Sequence, residues 1–85
     1  MPNEPNFYSF VHTAAAYRAA YFIVQSYYQR GFDCDRTVRR LQTLMTRSRR
    51  AGLWTADQYT LSAEIYIDVI HRIYNRRVTF QPAVE

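Results

Sequence analysis

Apolar residues recur at helical spacing in three stretches of this chain, separated by Gly31 and Gly52. From Phe7 to about Arg30 there is no proline or glycine and the middle is rich in alanine, which predicts a first helix over 7–30. Phe10, Tyr17, Tyr21, Val24 and Tyr28 share one narrow face of it, a row that reads as core with the hydroxyls at its edge. His12, Ser26 and Arg30 fall opposite. Arg18, Gln25 and Gln29 form a second polar strip with Phe22 beside it, so Phe22 is expected in solvent. Ala16 and Ala20, one turn apart, leave a shallow groove for a neighbouring helix.

A second helix is predicted over 36–50, capped by Asp33 or Asp35 and stopped by Gly52. Val38, Leu41, Leu44, Met45 and Ser48 cluster on one side, and Arg36, Arg39, Arg40, Arg47 and Arg50 cluster roughly opposite. Thr55-Ala56-Asp57-Gln58 has the form of a capping box, which starts a third helix over 56–77. Its apolar arc is wide and takes in Tyr59, Ile65, Tyr66, Val69, Ile70, Ile73 and Tyr74. Such a helix must touch both others, or one of them and a second copy of the chain. Asp57, Glu64, Asp68, His71 and Asn75 make its polar strip. Two prolines in residues 1–6 predict an extended lead-in with Asn6 as an N-cap, and residues 78–85 read as a frayed tail. Three helices with short connections in 85 residues imply a single all-α domain, a small antiparallel three-helix bundle.

Charge sharpens this picture. The formal net charge is +4, yet residues 36–50 hold six of the eleven arginines and no acid, leaving five arginines against seven acids elsewhere. The basic character is therefore local to the second helix. No lysine occurs, a whole-chain property that fits a compositional bias of the genome better than the demands of one site.

Catalytic chemistry finds little to work with. Cys34 is the sole cysteine, so no internal disulfide forms, and its neighbours Asp33 and Asp35 disfavour the thiolate. His12 and His71 lack close ligand spacing to Cys34 or to carboxylates, so no metal or cofactor is expected. There is no glycine-rich phosphate loop and no Ser-His-Asp order. Small helical chorismate mutases also hold a dicarboxylate with arginines, but they use a catalytic lysine, which this chain lacks. Neither a signal peptide nor a membrane span is visible, and the cytoplasm is the expected location.

These features describe a non-enzymatic helical interaction protein that binds, and blocks or regulates, a larger protein or nucleoprotein. Its expected contacts are Arg36, Arg39, Arg40, Arg47 and Arg50, with Arg18 and Phe22 as a second patch. In size and character it resembles the small single-domain inhibitors that phages and other mobile elements direct against host machinery, anti-CRISPR proteins among them. No motif carries that resemblance, and it assigns no family. The alternative is binding of nucleic acid without sequence preference through the same arginine stripe. Reading base edges with the third helix is disfavoured by its acidic strip. A homodimer through the third helix is a further expectation.

Overall fold

The computed structural model describes the backbone of residues 7–83 and the side-chain environments of residues 13–83. The expected lead-in over 1–6 with its Asn6 cap, the side chains of Phe10 and His12, and residues 84–85 lie outside that description. The helices are α1 (Phe7–Gln29), α2 (Cys34–Arg50) and α3 (Ala56–Tyr74), packed as a small bundle with α1 and α3 as the principal pair.

Local chemistry sets each helix end. Gly31 adopts a φ of +87°, and its N–H donates to the Tyr28 carbonyl while that of Phe32 reaches back to Tyr27. This is a Schellman ending, which needs a residue without a Cβ penalty at the left-handed position. Gly52, at +75°, ends α2 in the same manner, with Leu53 N–H bonded to the Ser48 carbonyl. Of the two candidate caps for α2, Asp33 is the one used, its carboxylate accepting from Arg36 N–H at 2.8 Å. The helix therefore begins at Cys34, two residues before the expected start. Thr55 and Gln58 form the complete capping box of α3.

One cluster unites the bundle: Ala20 and Val24 of α1, Cys34 and Leu41 of α2, and Ile65, Val69 and Ile70 of α3. Each fully buried aliphatic side chain of this kind contributes about 1.5–3 kcal/mol. Ala16 packs against the same cluster, so the small-residue groove lies against the core. The earlier start of α2 adds Cys34 to its buried face, which also includes Thr37. Thr37 is the polar member and is fully enclosed. Its hydroxyl meets that of Tyr74 at 2.7 Å, and Tyr74 in turn donates to the Phe32 carbonyl at 2.8 Å. Because the tyrosine's single proton is committed to Phe32, Thr37 is the donor in this relay.

Further expectations need correction. The tyrosine row of α1 is not core: Val24 is buried, whereas Tyr21 and Tyr28 are 38% and 53% exposed and only Tyr17 packs against the core. His71, expected on the polar strip of the third helix, is half-buried, its Nδ1 enclosed and without a hydrogen-bond partner among the described residues. Finally, α3 stops at Tyr74, short of Arg77, because Asn75 takes the left-handed conformation at φ 57° and turns the chain.

Beyond that turn the chain is not a frayed tail. Residues 75–83 return along the bundle as an extended strap, with Val78 and Phe80 packed on the core and the Phe80 ring 6.4 Å from that of Tyr66. Gln81 is held at both backbone groups. Its N–H donates to Gln42 Oε1 and its carbonyl accepts from the Tyr59 hydroxyl, each at 2.7 Å, while Gln42 Nε2 donates to that same hydroxyl at 2.7 Å. The strap thus ties α2 to α3.

Candidate anion-binding cleft

The turn between α1 and α2 builds the most chemically distinctive feature of the surface. The Schellman ending at Gly31 folds Phe32 back over the last turn of α1, where its ring stacks on Tyr27 with centroids 4.9 Å apart and planes 4° from parallel. An apolar contact between these two positions commonly accompanies such an ending. Asp33 then starts α2 immediately, so Arg36, in the first turn, lies over the same ring with its Cζ 3.8 Å from the centroid. Arg30 approaches from α1, its Cζ 5.2 Å from the Phe32 centroid. Both distances fall within cation–π range.

Around this stack opens a cleft of about 500 Å³, lined by Tyr27, Arg30, Phe32, Arg36, Arg39, Arg40 and Thr43. Its four arginines are all exposed. The nearby acids are directed elsewhere: the Asp33 carboxylate caps α2, and Asp35 faces Arg76 at 3.9 Å. Among the described residues none of the four cleft arginines forms an ion pair. Four guanidinium groups thus make the cleft a concentration of positive charge. A second opening shares Arg39 and Thr43 with it and continues to Thr79, Phe80 and Gln81 of the strap.

The structure divides the residues singled out from sequence. Arg36, Arg39 and Arg40 come together in the cleft. Arg47 and Arg50 are exposed further along α2 and do not line it. Arg18 and Phe22 belong to a separate apolar groove on α1 with Tyr17 and Tyr21, where Phe22 is 74% exposed. Helical periodicity did not find Arg30, Tyr27 or Phe32, because it treats each helix alone. The available signal was an aromatic on each side of Gly31 at the positions a Schellman turn brings together.

Cys34 is buried, and burial is the main reason its thiol is pushed above the ordinary value, with Asp35 and Asp33 adding to the shift and Arg76 opposing it. Among the described residues no group of three or more His, Cys, Asp or Glu side chains is placed to hold a metal ion. No described helix is long and apolar enough to cross a membrane.

The chain matches no protein-family model, and comparisons with curated proteins and with solved structures found no similar protein.

Proposed function

We propose that this protein is a non-enzymatic binding module that docks on an anionic surface of a larger protein or nucleoprotein through the arginine face of α2, and blocks or regulates that partner. The observation that carries the reading is the convergence of Arg30, Arg36, Arg39 and Arg40 on one cleft with no ion pair to any carboxylate among the described residues. Four like charges gathered on one cleft attract an anionic partner. Arg47 and Arg50 extend the positive face along α2, and Arg18 with Phe22 offers a second contact on α1.

The test is capture from lysates of the source organism and its host, with nuclease-treated and untreated halves compared. A stoichiometric partner is expected with the unaltered protein, in both halves if it is held as protein and in the untreated half alone if it is held through nucleic acid, and to be lost with the Arg39→Glu/Arg40→Glu variant. Thermal stability should be unchanged by those substitutions, since both side chains are exposed. Equal capture by the variant overturns the reading.

A further inference from the structure

From the cleft geometry we infer that its ligand is single-stranded nucleic acid, one base stacking on the Arg36 guanidinium while Arg30, Arg39 and Arg40 take the adjoining phosphates. This deepens the binding-module reading and rests on it.

The cleft differs from a generic basic patch in offering a flat stacking surface together with its charge. Carboxylate side chains of a protein partner would satisfy the charge but bring no flat apolar surface to meet the platform. Phe32 is fixed from one side of the turn by its parallel stack on Tyr27 and carries the Arg36 guanidinium 3.8 Å from its ring centroid, a separation of van der Waals contact. Held there, Arg36 loses little further freedom on binding, and because the residue is exposed it presents the stack to solvent. Guanidinium planes and aromatic rings are the platforms on which unpaired bases stack. A base within a duplex has both faces occupied by its neighbours, so this platform selects a single strand.

The flanking residues set the phosphate positions. Arg39 and Arg40 lie about one turn along α2 from Arg36, and Arg30 reaches in from α1, so guanidinium groups surround the platform. Each can donate two parallel hydrogen bonds to a phosphate. Thr43 contributes less, as its hydroxyl proton is already given to the Arg39 carbonyl at 3.0 Å. Beyond Arg39 the neighbouring opening runs to Thr79 and Gln81, which gives an extended strand room to continue.

The experiment compares fluorescence anisotropy titrations with four probes: a short mixed-sequence single-stranded oligonucleotide, the same sequence as duplex, an abasic phosphodiester of equal length, and a polyglutamate peptide. The single strand should bind most tightly, and its log affinity should fall with log salt by about 0.7 for each phosphate neutralised. Loss of the bases should weaken binding on the order of tenfold. Arg36→Lys keeps the charge and removes the plane, so its affinity for the intact strand should fall to that for the abasic probe. Arg39→Glu/Arg40→Glu should weaken every probe by more than about tenfold, with circular dichroism and melting temperature unchanged. Equal affinity for the intact and abasic strands, duplex binding as tight as single-strand binding, or no oligonucleotide binding overturns the inference. Polyglutamate binding alone, lost in Arg39→Glu/Arg40→Glu, also overturns it but leaves the binding-module reading standing. If that variant neither weakens a probe nor loses the captured partner, both readings fall.

Discussion

At the scale of single residues, the fold depends on a few hydroxyl groups enclosed between helices. Thr37 was invisible as a core position because a polar residue at a helix start ordinarily reads as a cap or a surface group, yet it is fully buried and its hydroxyl donates to Tyr74. Tyr74→Phe strands both the Thr37 hydroxyl and the Phe32 carbonyl and should cost about 1–3 kcal/mol in urea unfolding, whereas Thr37→Val leaves Tyr74 bonded to Phe32 and should cost about 0.5–1.5 kcal/mol. The same tyrosine makes stability depend on alkali. Burial raises the Tyr74 and Tyr66 hydroxyls above their ordinary value of 10.0, Thr37 partly opposing the shift at Tyr74 and Tyr27 adding to it at Tyr66. Between the unfolded and folded values the unfolded chain has released protons that the native protein keeps. Stability from these groups is therefore fully present below about pH 10 and declines as pH climbs through the raised values. Thermal melts across that range should show the decline, and a Tyr66→Phe/Tyr74→Phe variant should flatten it.

At the scale of elements, α2 was the most legible part of the chain and residues 75–83 the least. Opposed stripes of arginine and aliphatic side chains survive any tertiary context, and Leu41 and Met45 are indeed enclosed while Arg39 and Arg40 stay in solvent. Leu41→Ala should accordingly cost about 2–5 kcal/mol by denaturant unfolding, against no measurable loss for reversal of its neighbour Arg40. The strap was missed because it has no periodicity of its own. Its order comes from Gln42 and Tyr59, residues 39 and 22 positions earlier, which pair with Gln81 across the structure. A frayed tail could be trimmed without effect. This one cannot: Phe80→Ala should destabilise the bundle by about 2 kcal/mol, and Gln42→Ala should release the strap, detected as faster amide exchange at Gln81. The tyrosine row of α1 failed for a related reason. Its spacing is helical, but α3 meets α1 along Ala20 and Val24, and so Tyr21 and Tyr28 turn outward.

At the scale of the whole molecule, the all-α bundle was readable from three amphipathic stretches and their caps, whereas the cleft was only half readable. Arg36, Arg39 and Arg40 were marked by charge on one helix, but Arg30 and the Tyr27–Phe32 stack join them only through the turn at Gly31. The apolar arc of α3, expected to touch two helices or a second copy, finds its cover largely within one chain, from α1, α2 and the strap. Among the described residues the most exposed large apolar side chains are instead Phe22 and Leu53. The strap also governs where cargo can be attached. Because it brings Gln81 beside Arg39 and Thr43, cargo carried by the end of the strap lies close to the positively charged cleft. A fluorescent protein or affinity handle fused there should shade the cleft and weaken anion binding, while the same cargo joined ahead of α1 should leave it open.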